Sequence, residues 1–300
     1  MICPALQDDR FLADVEDACL AGDRLHLWWL GQSGYLLAWG GKRILLDPYL
    51  SDSLTAKYAE TDKPHVRMTE RVIDPARLTG ISLVTSSHGH TDHLDPETLK
   101  PLVRANPRIR MVFPEAIRGA VRQRSGLPES QLLGLESAVP GSGPCHGVEE
   151  VQVEGLQIRA VPAAHETLET DAAGRLICLG YVVSMGPWTI YHSGDTVMYD
   201  GQVELLRSLR VDLALLPVNG RAEERRVAGN LWGQEAAHLA WQIGAKIAIP
   251  CHYDLFKFNT ATPDDFVMAC QQSGQGYAVL RSGERWTFPE CLIYPNEPNP

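Results

Sequence analysis

The 300-residue sequence has no excess of positive charge and no long apolar run. Lysine and arginine total 27 against 37 acidic residues, which gives a net charge of −10. A nucleic-acid partner would need a basic stripe, so none is expected. No apolar stretch reaches the ~18 residues of a membrane span, and residues 1–23 lack the basic and apolar regions of a signal peptide. We therefore expect a cytoplasmic protein without a membrane partner.

The sequence also lacks paired cysteines. Its seven cysteines are odd in number and none stands in a C-x-x-C pair, which favours free thiols in a reducing compartment. The composition, 44% hydrophobic and 21% charged, is that of a globular protein. We predict one domain over residues 1–300, with an N-terminal helical extension at 1–23. Apolar residues recur there at helical spacing, as expected for packing on the domain or for a homo-oligomer contact.

Residues 86–95 contain three histidines and an aspartate within six positions: His88, His90, Asp92 and His93. They follow a β-branched apolar run at 81–85 and precede a helix start at 95–97, so they occupy a strand-to-helix loop. Clustered imidazoles repel one another when protonated, and buried imidazole nitrogens need partners. Because neutral imidazole and ionised carboxylate are good ligands for divalent metals, the loop is a candidate metal site.

Further histidines and aspartates end other apolar runs. They are Asp47 after residues 43–46, His165 after 161–164, His192 and Asp195 in 189–196, and His252 after 247–251. The H-x-H-x-D-H loop and these four segments, in this order, resemble the metallo-β-lactamase superfamily over residues 28–288. The antibiotic-hydrolysing members commonly have cysteine at the position of Asp195, so the resemblance points away from a β-lactamase.

The resemblance implies an α/β fold, a four-layer αββα sandwich of the metallo-β-lactamase type. It also implies two divalent metal ions, with zinc and manganese expected and iron as a third candidate. The first ion would be held by His88, His90 and His165, and the second by Asp92, His93 and His252. Asp195 would bridge the two ions.

Two metal ions lower the pKa of a shared water, so that hydroxide is available near neutral pH. By the same resemblance, Asp92 would also orient the attacking hydroxide. Asp47 would lie behind the ligands and fix the tautomer of a ligand histidine. His192 has two readings that the sequence leaves open. It is either a hydrogen-bonded core histidine or a functional residue, which supports the ligands from behind or donates a proton in catalysis.

Polar and basic residues follow the fourth and fifth motifs in an otherwise acidic chain. Arg221, Arg225 and Arg226 lie in the 219–232 loop, and Lys257 follows His252 by five residues. Together they predict a clamp for a small anionic substrate. The predicted substrate-binding residues are Asn219, Arg221, Asn230, Lys257 and Asn259.

The finer resemblance is to the L-ascorbate-6-phosphate lactonase branch, carried by residues 28–31, 191–195 and 249–259. It implies a metal-dependent hydrolase that opens a small lactone or ester, with or without a phosphate group, using a metal-bound hydroxide. Two alternatives remain open at this point. One is a phosphodiesterase or RNase Z-like nuclease, and the other is a non-hydrolytic iron redox protein.

Two local predictions concern segments outside the motifs. The polar stretch 50–74 has no clear period and is predicted to be a flap over the site. Residues 277–280 and 285–288 flank Ser282-Gly283 and are predicted to form a closing hairpin.

Overall fold

Two β-sheets form the centre of the molecule. The computed structural model describes residues 1–20, 22, 24–141, 143 and 147–288; Cys145 and Cys291 lie outside them. The first sheet has seven strands: β1 Leu25–Gly31, β2 Gly34–Trp39, β3 Lys42–Leu46, β4 Ile81–Thr85, β5 Arg110–Pro114, β6 Leu132–Leu135 and β13 Arg285–Phe288. The second has six: β7 Glu150–Val153, β8 Leu156–Pro162, β9 Leu179–Met185, β10 Trp188–His192, β11 Leu213–Pro217 and β12 Ile247–Cys251.

Each sheet combines an antiparallel part with a parallel part. The strand order is β13-β1-β2-β3-β4-β5-β6 in the first sheet and β12-β11-β10-β9-β8-β7 in the second. Pairing is antiparallel from β13 to β3 and from β7 to β10, and parallel from β3 to β6 and from β10 to β12. The parallel strands require crossover connections, which helices supply.

The described helices are α1 Asp8–Leu20, α2 Ser53–Tyr58, α3 Pro96–Ala105, α4 Arg118–Ser125, α5 Gln202–Ser208, α6 Gly233–Ile243 and α7 Asp264–Ser273. All the described helices except α2 lie on the outer faces of the sheets. Short 3-10 turns occupy Pro75–Arg77, Glu115–Ile117, Glu129–Gln131 and Glu223–Arg225. Helices α1, α3 and α4 share a core with the first sheet, and α5, α6 and α7 share one with the second. This arrangement confirms the predicted αββα sandwich.

Strand β1 is buried at every position, and His26 is its one polar side chain. Leu27 and Trp29 belong to the core that joins the two sheets, whereas Trp28 and Leu30 belong to the core beneath α1 and α3. Side chains alternate between the two faces of a strand, and here both faces are covered. A strand buried on both faces therefore appears as a nearly continuous apolar run.

Helix α1 packs on the outer face of the first sheet. Phe11 and Val15 are buried, and the Phe11 ring meets Trp28 edge-on with ring centroids 6.3 Å apart. The indole nitrogen of Trp28 donates a hydrogen bond of 2.8 Å to Asp14. Packing on the domain is thus the reading of this segment that the structure supports. Among the described residues, no helix has the length and apolarity needed to cross a bilayer.

The predicted closing hairpin is wrong. Only residues 285–288 form a strand, and β13 pairs with β1, with Leu25 opposite Phe288. Residues 276–278 lie instead beside β12, where Ala278 N donates to Ala248 O and Ala248 N donates to Gly276 O. The two segments therefore hydrogen-bond to the edges of two different sheets and do not pair with each other.

Candidate metal centre

Loops that follow strands of both sheets meet at one end of the sandwich. The loop after β4 supplies His88, His90, Asp92 and His93, and the segments after β8, β10 and β12 supply His165, Asp195 and His252. The ligand atoms form three overlapping groups, each within 4.8 Å: His88, His90 and His165; Asp92, His93 and His252; and His88, His93 and Asp195. The structure therefore brings together all seven residues predicted as metal ligands.

Asp195 lies between the two groups of three. Its Oδ1 is 3.4 Å from His93 Nε2, and its Oδ2 is 3.3 Å from His252 Nε2 and 3.8 Å from His165 Nε2. The carboxylate is almost fully buried, with 4% of its surface exposed. Its place between imidazoles from both groups is the one that a bridging carboxylate would need.

The electrostatics of this cluster suit a cation. Burial opposes charge on Asp195, but His252 and His93 hold the pKa of its carboxyl well below the ordinary value. Burial and the neighbouring histidines hold the pKa of His88 well below its ordinary value, so this imidazole is neutral. Ionised carboxylates beside neutral imidazoles are the donor set of a divalent metal site.

His93 shows that the cluster needs positive charge. Its Nε2 is buried and has no hydrogen-bond partner in the described part of the chain, although Asp195 Oδ1 lies 3.4 Å away. Burial would lower the pKa of His93, but Asp195 and Asp92 hold it well above the ordinary value. A proton on His93 or a metal ion could satisfy these carboxylates, so the residues present fit the metals that the resemblance implies.

Asp47 fixes the orientation of His93 from behind. Its Oδ2 accepts a 2.8 Å hydrogen bond from His93 Nδ1, and its Oδ1 accepts one of 2.7 Å from the Thr85 hydroxyl. The Ser87 backbone N–H also donates to this carboxylate, at 3.0 Å. Burial would raise the pKa of Asp47, but the hydrogen bonds from His93 and Ser87 hold it below the ordinary value. With its proton on Nδ1, neutral His93 presents an unprotonated Nε2 to the cluster.

Gln32, which the sequence reading missed, also contacts the cluster. Its Nε2 donates a 2.7 Å hydrogen bond to Asp92 Oδ2 and lies 3.1 Å from His252 Nε2. The backbone carbonyl of Gln32 accepts a hydrogen bond of 2.9 Å from the backbone N–H of His252. The polar pair Gln32-Ser33 between the glycines of the β1–β2 turn was the available signal, because polar residues at the tip of two buried strands need partners.

Three residues of the site have a left-handed backbone. The φ angles of Gln32, Asp47 and His252 are 50°, 39° and 64°. Such angles are unfavourable for residues with a side chain, and they persist only where the surrounding structure imposes them. The fold thus accepts local strain to direct these three side chains.

His192 does not reach the cavity. It is fully buried, its Nε2 donates a 2.8 Å hydrogen bond to Ser33 O, and its ring meets Tyr35 edge-on. Burial lowers its pKa, so the ring is neutral. This position does not fit a proton donor at the cavity. It fits a buried histidine that supports the turn carrying Gln32 and Ser33.

The predicted substrate clamp is largely engaged elsewhere. Arg221 makes two hydrogen bonds of 2.6 Å to Glu235, and Lys257 is exposed outside the cavity lining. Asn230 Nδ2 donates to Asn219 Oδ1 at 3.0 Å, and Asn219 Nδ2 donates to Asn259 Oδ1 at 2.9 Å. Of these five residues only Asn259 lines the cavity. The prediction that Arg221 and Lys257 face the substrate is wrong. Arg221 forms an ion pair with Glu235, and Lys257 faces solvent.

A cavity of about 430 Å³ opens over the ligand cluster. Helix α2 and His65 form one wall, so the 50–74 segment borders the site as predicted for a flap. The apolar lining residues are Leu54, Tyr58, Val227, Ala228, Phe256 and Phe258. The cationic lining residues are Lys57, Arg124 and Arg226. The cavity thus has a polar floor, an apolar wall and a cationic rim.

Comparisons with known proteins agree with this geometry. The family model for the beta-lactamase superfamily domain matches residues 42–253. A protein of Saccharolobus solfataricus, named a metal-dependent hydrolase, is 25% identical over 266 residues, which cover 87% of this chain and 99% of that protein. The metallo-beta-lactamase fold protein YhfI from Bacillus subtilis superposes with a TM-score of 0.59 at 17% identity, covering 88% of this chain and 100% of that chain.

The same fold serves other chemistry as well. CmlA, a diiron beta-hydroxylase from Streptomyces venezuelae, superposes with a TM-score of 0.62 at 12% identity, covering 89% of this chain and 54% of that chain. At such identity the likeness concerns the fold alone. Since the family model spans most of the sequence and contains the histidine loop, His165, Asp195 and His252, the chain belongs to the beta-lactamase superfamily.

Proposed function

We propose that the protein is a metal-dependent hydrolase that opens a small lactone or ester, with or without a phosphate group. The observation that carries this proposal is the convergence of seven histidine and aspartate side chains in one cluster, with Asp195 between the two groups of three. Five of the seven line the cavity: His90, Asp92, His165, Asp195 and His252. The name of the Saccharolobus relative supports the hydrolytic class.

His88, His90 and His165 would hold one ion, Asp92, His93 and His252 the other, and Asp195 would contact both. Two bound divalent ions polarise a carbonyl or phosphoryl oxygen and make hydroxide available near neutral pH. We expect zinc or manganese, because imidazole and carboxylate donors suit both metals.

The remaining residues position this apparatus. The hydrogen bond from Gln32 Nε2 to Asp92 Oδ2 restrains the Asp92 carboxylate. Its other oxygen, Oδ1, would orient the attacking water. Asp47 and the carbonyl of Gly229 hold the Nδ1 protons of His93 and His165, at 2.8 and 3.0 Å. The apolar wall excludes bulk water, which strengthens electrostatic interactions inside the cavity.

The shape and charge of the site favour a small substrate over a nucleic acid. A cavity of about 430 Å³ lies within the range of small-molecule sites. Phosphodiester chains are bound through extended basic surfaces, whereas this chain has a net charge of −10. The acyl-transfer reading therefore ranks above the phosphodiesterase and nuclease reading.

A substrate panel with metal analysis tests the proposal. Protein loaded separately with zinc, manganese or iron is assayed on sugar-acid lactones, aryl esters and bis-p-nitrophenyl phosphate, with oxygen uptake recorded in parallel. We expect lactone or ester turnover that Asp195→Ala abolishes. His238→Ala is the matched control, because His238 is an exposed histidine away from the cavity. Preferential turnover of the phosphodiester, or oxygen uptake with iron alone, would refute the lactone and ester assignment.

A further inference from the structure

Arg124 reaches the cavity from a helix that carries no metal ligand. It lies in the last turn of α4 and is half-buried. Its Nη1 donates a 2.8 Å hydrogen bond to Gly89 O, and Leu94 O lies 3.4 Å from the same nitrogen. Gly89 separates the predicted ligands His88 and His90. The guanidinium is therefore fixed against the metal loop, and it lines the cavity beside that loop.

Of the two arginines that line the cavity, Arg124 and Arg226, only Arg124 has no carboxylate partner among the described residues. Arg226 pairs with Asp62 at 2.6 Å, and Arg221 pairs with Glu235 at 2.6 Å. Arg225 donates to backbone carbonyls and lies over the Trp232 ring. Within the described residues, Arg124 forms no ion pair, and its Nε and Nη2 have no hydrogen-bond partner. A half-buried cation without an anionic partner, in an acidic chain, is available to an anionic ligand.

We propose that Arg124 is the residue that binds the anionic group of the substrate, a carboxylate or a phosphate, beside the metal centre. This inference rests on the proposed hydrolase function and deepens it, because it limits the substrate to small organic anions. The planar guanidinium matches a carboxylate or phosphate with two parallel N–H donors. The two backbone carbonyls hold it in place before the ligand arrives, so little side-chain entropy is lost on binding.

The apolar wall gives the rest of such a substrate its place. Tyr58 stacks on His65 with centroids 4.2 Å apart, and Phe258 meets the His65 ring edge-on at 4.4 Å. These rings line the same cavity as Arg124. A substrate with an anionic end and a short apolar body can therefore contact both while its reacting carbonyl lies over the ligand cluster.

Matched ester substrates test the role of Arg124. Metal-replete wild type, Arg124→Gln, Arg124→Lys and Arg122→Gln are assayed on p-nitrophenyl hydrogen glutarate, which is anionic, and on neutral p-nitrophenyl butyrate. Arg122 is the control because it is exposed on the same helix and does not line this cavity. We expect Arg124→Gln to lower kcat/KM for the anionic ester roughly 10- to 150-fold, mainly through KM. The neutral ester should change less than about twofold, since it has no charge for Arg124 to bind.

A binding measurement separates this inference from the hydrolase proposal. Calorimetry with the same proteins compares the N-propyl monoamide of glutaric acid with its neutral amide-alcohol analogue, neither of which is expected to be hydrolysed. We expect tighter binding of the anion by the wild type, a preference that disappears in Arg124→Gln and partly returns in Arg124→Lys. If no ester is hydrolysed but this preference depends on Arg124, the hydrolase proposal fails and the anion site stands.

Measuring the metal content of each variant by elemental analysis shows whether Arg124 acts only by holding the metal loop in place. Arg124 also contacts carbonyls of the metal loop, so its loss could loosen the metals instead. Equal losses on both esters together with lost metal, or an anion preference that is unchanged in Arg124→Gln, would overturn the proposal.

Discussion

Replacing Asp47 by asparagine should damage metal binding while leaving the fold largely intact. Asparagine has the same shape, and its oxygen can still accept from Thr85 and from the Ser87 N–H at the position of Oδ1, where the present distances are 2.7 and 3.1 Å. At the position of Oδ2 it presents an NH2 group to Nδ1 of His93. The imidazole must then accept that hydrogen bond and carry its own proton on Nε2, the atom that faces the cluster.

The expected loss of metal affinity follows from this change of tautomer. Altering a residue behind a ligand histidine typically weakens metal binding about 10- to 100-fold, which is about 1.4–2.7 kcal/mol. Asp47→Ala has a different signature, because it leaves the Thr85 hydroxyl and the Ser87 backbone N–H without this acceptor. His93 Nδ1 keeps only the Ser87 hydroxyl, 3.2 Å away. Each unsatisfied group costs about 1–3 kcal/mol, so the alanine variant should lose more folding stability than the asparagine variant.

Chelator competition measures the metal affinity, and urea unfolding of the metal-free proteins measures the stability. Asp200→Asn is the matched control, since Asp200 is exposed and lies outside the cavity lining. Wild-type metal affinity in Asp47→Asn would show that His93 does not depend on Asp47 for its tautomer. The assignment of Asp47 as a positioning residue would then have to be abandoned.

Three further outcomes follow from the contacts. Asp195→Ala should abolish activity and release most of the second metal, measured by elemental analysis; retention of both metals and full activity would refute the bridging assignment. Gly194→Ala should reduce metal content, because a Cβ at this left-handed residue (φ 60°) would lie 2.5 Å from Ser87 Cβ; unchanged metal content would show that the loop adjusts. Burial raises the pKa of Cys178 to about 12, so this thiol should resist alkylation in the native protein while exposed Cys3 reacts, as mapped by mass spectrometry; equal labelling would contradict the packing.

The ligand cluster was predictable because its information is local. Each ligand lies in a segment that follows an apolar run, and α/β sheets place their ligands beyond the carboxyl ends of such strands. The run at 81–85 became β4, and Asp95 caps α3 by accepting from the backbone N–H groups of Glu97 and Thr98. These features depend on residues a few positions apart, which the sequence displays.

The substrate side of the cavity was not predictable in the same way. The sequence shows no partner for Arg221, but in the fold its guanidinium lies 2.6 Å from the carboxylate of Glu235, fourteen positions later. Arg124 gave no sequence signal, because its contact with Gly89 joins α4 to a loop 35 residues earlier. Which cation remains unpaired depends on the meeting of distant loops, and composition cannot show it.

The strained backbone of the site has an energetic consequence for the whole molecule. Residues held in left-handed conformations cost of the order of 1–3 kcal/mol each, and Gln32, Asp47 and His252 are three such residues. In addition, ionised carboxylates gathered at one place repel each other unless a cation lies among them. Ions that bind only the folded state stabilise it, by about 2.7 kcal/mol at a hundredfold excess over Kd. The metals that the site is built to hold would therefore offset part of the strain that positions their own ligands, which couples metal loading to folding.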